Sequence, residues 1–146
     1  METNKIKREM MTAGYSGKPL VEKLGIKENM NLHFINLPSK DFLKNWGTFP
    51  KPINILEKPR AGMDMIHFFT QSSKEYNQKL PKLIQFLKPT GMIWISWPKK
   101  SSKISTDMNE DLIRNFALEL GLVDIKVCAV DEIWSGLKLV IRKENR

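Results

Sequence analysis

The densest set of chemistry-bearing side chains in this sequence is Trp97-Pro98-Lys99-Lys100-Ser101-Ser102-Lys103, followed by Thr106 and Asp107. The apolar run Met92–Trp97 before it reads as a strand. The spacing of Leu112, Ile113, Phe116, Ala117 and Leu120 after it reads as a helix. The segment therefore leaves the C-terminal end of a predicted central strand and enters a helix N-terminus. Ligands of open α/β sheets bind at that edge, and a helix N-terminus offers free N–H groups and a positive dipole end. Lys99, Lys100, Ser101 and Ser102 would supply charge and hydrogen bonds to a phosphate or carboxylate, and Trp97 an aromatic floor. The competing reading is a solvated charged loop.

A second constellation is Asp131-Glu132 with Trp134-Ser135-Gly136-Leu137-Lys138. The two acids would pair with Lys99 or Lys100, or else hold a substrate amine or act as a base. Neighbours on a strand point to opposite faces, so they would not form a carboxylate dyad. Trp134 offers another stacking surface, and Lys138 another cation. A third is Gly14-Tyr15-Ser16-Gly17-Lys18. It lacks the spacing of a phosphate-binding P-loop and follows no strand, which leaves a flap over the sheet edge as its role.

Other chemistries find no support in the spacing. His33 and His67 sit in apolar strands with no metal-ligand spacing, and read as core or edge histidines. Ser16 and Ser135 lack a nucleophile-elbow arrangement. The single cysteine, Cys128, allows no internal disulfide and reads as a small buried hydrophobe in a reducing, cytoplasmic compartment. No cofactor and no metal are assigned on these grounds.

The elements that must position these groups follow from periodicity. Residues 1–17 read as a polar tail, and 18–146 as one α/β domain. Lys18–Gly25 is a short helix. Asn31–Leu37 is a first strand that runs into Asn36-Leu37-Pro38-Ser39-Lys40, with no glycine until Gly47. Ser39 would cap a short helix carrying Phe42, Leu43 and Trp46. Pro52–Glu57 is an edge strand, since three prolines flank it. Met63–Thr70 is a central strand. A helix over 73–88 carries Pro81, which should kink or divide it. Lys88–Gly91 is a turn, and Asp107 with Glu110 resembles a capping box. Val123–Val130 and Leu137–Arg142 form a hairpin. Alternation through the middle predicts a three-layer, Rossmann-like, mostly parallel sheet ending in an antiparallel hairpin.

With 146 residues the chain is long enough for a sizeable core. No apolar run approaches the ~20 residues of a membrane span, so no membrane insertion is expected. The start of the sequence leads into no apolar segment of a secretory signal. The net charge of +8 and pI near 9.6 favour acidic partners. That charge is dispersed. Residues 1–27 carry six bases against three acids, whereas residues 88–103 carry four lysines and no acid.

The order strand, helix, Leu87-Lys88-Pro89-Thr90-Gly91, strand, helix, hairpin resembles the C-terminal half of a class I S-adenosylmethionine-dependent methyltransferase over residues 63–142. Four blocks resemble a bacterial family of proteins of unknown function. They are Gly14–Leu20, Ser96–Ser101, Thr106-Asp107 and Val127–Lys138. This second resemblance implies a bacterial, cytoplasmic origin and no particular activity. The methyltransferase pattern departs in two places: the glycine loop after strand one is absent, and only about 25 residues separate that strand from Met63, room for one helix and one strand in place of two of each. The missing segment belongs to the half that binds adenosine. Glu57 is the one candidate for the acid that would meet its ribose, against a plain exposed edge acid.

These observations lead to an expected non-catalytic binding module for an anionic small molecule or phosphate-bearing partner. Its site would lie at Lys99–Asp107, with Asp131, Trp134 and Lys138 beside it. A divergent methyltransferase with a pocket near Asn36 and Leu37 is the first alternative. A basic nucleic-acid-binding protein is the second.

Overall fold

The computed structural model describes residues 17–146. The predicted N-terminal tail and most of the Gly14–Lys18 flap lie outside the described residues. In chain order the elements are α1 (Leu20–Lys23), β1 (Asn31–Ile35), a 3-10 turn (Phe42–Trp46), β2 (Asn54–Ile55), β3 (Met63–Phe69) and α2 (Ser73–Ile84). There follow β4 (Leu87–Pro98), a 3-10 turn (Lys100–Ser102), α3 (Glu110–Glu119), β5 (Leu122–Ala129), β6 (Trp134–Ile141) and a last 3-10 turn (Lys143–Asn145).

The six strands form one sheet in the order β2-β1-β3-β4-β6-β5. β2, β1, β3 and β4 are mutually parallel. β6 runs antiparallel to both β4 and β5. The fold class is thus the predicted one: a mixed sheet, mostly parallel, closed by an antiparallel hairpin. Between β1 and β3 the chain holds one 3-10 turn and one two-residue strand, as the shortened spacing required.

Alternation sorts the side chains onto two faces. On one, Ile66, Phe68, Ile93, Ile95, Leu137 and Leu139 pack against Tyr76, Leu80 and Leu83 of α2 and Ile113 and Ala117 of α3. Burying each such aliphatic side chain is worth about 1.5–3 kcal/mol. The Tyr76 hydroxyl donates to the Ile113 carbonyl at 2.7 Å and ties the two helices together. On the other face, Leu32, Met65, Phe69, Met92 and Trp94 meet a thinner cover, Val21 of α1, Leu24 just after it and Trp46 of the first 3-10 turn. The Trp94 indole donates to the Leu24 carbonyl at 3.0 Å.

Four local expectations are corrected. The Phe42–Trp46 turn begins after Asp41 with no side-chain cap, so Ser39 contributes only its carbonyl, which accepts from Phe42 N–H. Pro81 does not divide its helix, which continues to Ile84. The carbonyl it deprives of a partner belongs to Asn77, which is exposed and open to water. Lys88–Gly91 is not a turn before a strand but an irregularity within β4. Met63 pairs with Leu87 and Met65 with Met92, so three extra residues bulge from β4. Gly91 fits there because a Cβ would lie 2.9 Å from the Met63 carbonyl oxygen. Asp107 does not cap α3. Asn109 does, its side chain accepting from Leu112 N–H at 2.8 Å.

Candidate functional site

From β1 the chain moves outward to β2 and returns on the opposite side of β1 as β3. The C-terminal ends of β1 and β3 therefore flank the switch point of the sheet, where a crevice opens in folds of this kind. Asn36 follows β1 directly and adopts φ 60, a left-handed conformation that asparagine tolerates better than other side chains. Its amide donates to the Phe69 carbonyl at 3.0 Å and to a Glu75 carboxylate oxygen at 3.1 Å.

The groups facing Asn36 come from the β3–α2 turn. The Thr70 hydroxyl donates to the other Glu75 oxygen at 2.6 Å and accepts from Ser72 N–H at 3.1 Å. Ser72 caps α2 by accepting from Glu75 N–H at 3.2 Å. Lys79, one turn on, reaches Glu75 at 2.9 Å. Burial by itself would raise the Glu75 carboxyl. Hydrogen bonds from Thr70, Lys79 and Asn36 outweigh it and hold the group below its ordinary value. Glu75 is thus a fixed anion that orients Asn36 and Thr70 across the switch point.

β2 adds the third strand end at this edge. Leu32 pairs with Ile55, and His33 Nδ1 lies 2.8 Å from the Leu56 carbonyl oxygen. Glu57 comes next, exposed. Among the described residues it has no hydrogen-bond or ion-pair partner.

The lysine loop looks different once its bonds are counted out. Lys99 Nζ donates to the Asp131 backbone carbonyl at 2.8 Å, so the expected ion pair with Asp131 or Glu132 is not formed. Asp131 lies in the β5–β6 connection, where its carboxylate accepts from the N–H groups of Ile133 and Trp134 as a turn former. The Ser102 hydroxyl donates to the Lys99 carbonyl, and Thr106 Oγ1 to the Gln71 carbonyl. Asp107 accepts from both the N–H and the hydroxyl of Ser73. Those hydrogen bonds from Ser73 hold its carboxyl below the ordinary value. Lys100 and Ser101 keep side chains with no hydrogen bond among the described residues. The loop fastens β4 to the start of α2, and Lys99, Ser102 and Thr106 spend their side-chain donors on backbone carbonyls.

The aromatic residues expected beside this loop are also separated. Trp97 packs in the α2–α3 layer with Met108 and Ile113, while Trp134 lies on the opposite sheet face against Phe69. Both are buried. Lys138 pairs across from Trp94 in mid-sheet, four residues along β6 from the Trp134 edge, about 13 Å at strand rise. Thr70 and Glu75 were missed by sequence reading. The signal available was a Thr-x-Ser segment at the C-terminal end of a predicted central strand.

His67 is fully buried, as expected of a core histidine. Its ring stacks on Phe69 at 4.3 Å. Among the described residues no three His, Cys, Asp or Glu side chains are placed to hold a metal ion, and no helix is long and apolar enough to cross a membrane.

No protein-family model matches the chain, and no curated protein matches it in sequence. Solved structures do. The fold is methyltransferase-like. A SAM-dependent methyltransferase from Aquifex aeolicus superposes with a TM-score of 0.58 at 14% identity, covering 97% of this chain and 97% of that one. The DhpI–SAH complex gives 0.60 at 9% identity, over 93% and 87%. Fibrillarin from Aeropyrum pernix, with natively bound S-adenosyl-L-methionine, gives 0.56 at 13%, over 91% and 73%. At such identities the likeness carries the architecture alone.

Proposed function

We propose that this chain is a divergent methyltransferase-type protein that holds an S-adenosyl ligand in the crevice between β1 and β3. The observation that carries this reading is the left-handed turn at Asn36, on the switch point of a methyltransferase-like sheet. The glycine usually needed there is absent, yet the backbone takes the conformation that glycine would supply. The neighbours described as bound to S-adenosylmethionine or S-adenosylhomocysteine add support from architecture.

The residues present fit such a ligand. Glu57, exposed and unpartnered, would accept from the paired hydroxyls of a ribose. Thr70 and Asn36 stand at the ends of β3 and β1 where the ligand would lie, and Glu75 positions both. When bound, S-adenosylmethionine supplies a methyl group on a sulfonium, open to direct attack by a nucleophile. For such a displacement the protein contributes mainly proximity and alignment, which need no acid or base of unusual strength. The expected anion module at Lys99–Asp107 fits less well, because Lys99, Ser102 and Thr106 already donate to backbone carbonyls and Asp107 is an acceptor held by Ser73.

Thermal unfolding with S-adenosylhomocysteine tests the proposal. Saturation at about a hundred times Kd corresponds to roughly 2.7 kcal/mol of added stability. The wild type should show a rise in Tm. Glu57→Ala should lose most of that rise while its unliganded Tm stays unchanged. A wild type that does not respond at millimolar ligand would overturn the assignment.

A further inference from the structure

Residues Leu122, Val123 and Asp124 of β5 pair in step with Ile141, Val140 and Leu139 of β6. Continued without interruption, that register would set Ile125 opposite Lys138. It shifts instead between Asp124 and Lys126, and Lys126 becomes the residue across from Lys138. Bulges of this kind re-aim a side chain. Here the bulge puts a second ammonium beside the first and leaves Ile125 54% exposed. Two like charges directly opposite on one sheet face destabilise the pairing.

A third cation joins them. Lys27 follows the short loop after α1. A Cβ built on Gly25 would lie 3.9 Å from Lys138 Nζ, so the end of α1 lies against the Lys138 side chain. Lys138 is half-buried. Burial first, and then the charges of Lys126 and Lys27, hold its ammonium below the ordinary lysine value. Among the described residues none of the three forms an ion pair. The charge is also confined. The other residues on this face of the two strands, Val123, Cys128, Trp134, Gly136 and Val140, carry no charge, so the cations form a compact point and not a stripe.

We propose that Lys27, Lys126 and Lys138 form a binding site for a phosphate dianion, as inorganic phosphate or a phosphomonoester. The site lies on the thinly covered face of the sheet, apart from the β1–β3 crevice. A compact triad suits one doubly charged tetrahedral group. A nucleic-acid backbone would call for bases spread along its path. The ligand offsets a repulsion that the folded chain otherwise carries unrelieved.

Thermal unfolding in orthophosphate against chloride at matched ionic strength tests this, using the wild type, Lys126→Met and Lys138→Met. Phosphate should raise the wild-type Tm by about 3 °C or more. Both variants should lose that rise, yet melt in chloride at or above the wild-type temperature, because a like-charge contact has been removed. Variants that respond to phosphate as the wild type does, or that melt lower in chloride, overturn the site. A 12-nucleotide single strand serves as the third arm. If it stabilises the wild type where orthophosphate does not, the ligand is a polymeric phosphodiester and the dianion proposal fails.

Discussion

His67 Nε2 lies 2.6 Å from Ser96 Oγ across β3 and β4, while His67 Nδ1 has no hydrogen-bond partner among the described residues. The ring is enclosed by Phe34, Trp46, Phe69 and Trp94. Burial without a carboxylate neighbour lowers its pKa from 6.5 to about 3. The unfolded chain therefore takes up the proton first as pH falls. Stability due to this group is complete above about pH 6.5 and declines between there and pH 3, by at most about 1.4 kcal/mol per pH unit. Urea denaturation at pH 7.5 and 5.5 should show that decline. In His67→Leu it should be visibly flatter, and equal slopes would mean that some other group governs the acid limb.

The Asn36 turn separates backbone strain from hydrogen bonding. Asn36→Gly removes the bonds to Phe69 and Glu75 but keeps the left-handed turn free of strain. Asn36→Ala removes the same bonds and adds the steric cost of φ 60, about 1–2 kcal/mol. The glycine variant should therefore be the more stable of the two in urea. The opposite order would mean that the turn relaxes on substitution and that its conformation is not imposed by the sheet.

Asp107 and Asn109, two residues apart, have different jobs. Asn109→Ala should cost about 1 kcal/mol through the lost cap of α3. Asp107→Ala should leave α3 intact but speed exchange of the Ser73 amide roughly tenfold, because that N–H loses its acceptor. Hydrogen exchange read residue by residue distinguishes the two. Increased exchange across the first turn of α3 in Asp107→Ala would restore the capping box that the sequence suggested.

Much of the fold was written in short-range pattern. The apolar runs at Met63 and Met92, the helical spacing around Tyr76 and Ile113, and the short gap after strand one each determined an element or its absence. What the pattern could not carry was contact between distant residues. The acceptors of Asn36 lie 33 and 39 residues away. The lysine loop read as open charge because the residues that occupy its groups, Asp131 on one side and Gln71 and Ser73 on the other, come from two other segments. Lys126 and Lys138 become neighbours only through a bulge, and nothing in the alternation of Leu122–Ala129 announces where the extra residue falls. The site was legible as a sheet edge, and its charged groups were not.

The insertion of β6 between β4 and β5 also bears on synthesis. β4 has β3 on one side, but its other side is vacant until residues 134–141 have been made. β5, although made earlier, pairs only with β6 in the folded sheet. A nascent chain halted before Trp134 would carry the unpaired edge of β4, running through Ile93 and Ile95, open to pairing with another chain or a chaperone. β6 is the strand that covers it, so the β4 edge stays open to other chains until residues 134–141 have been made.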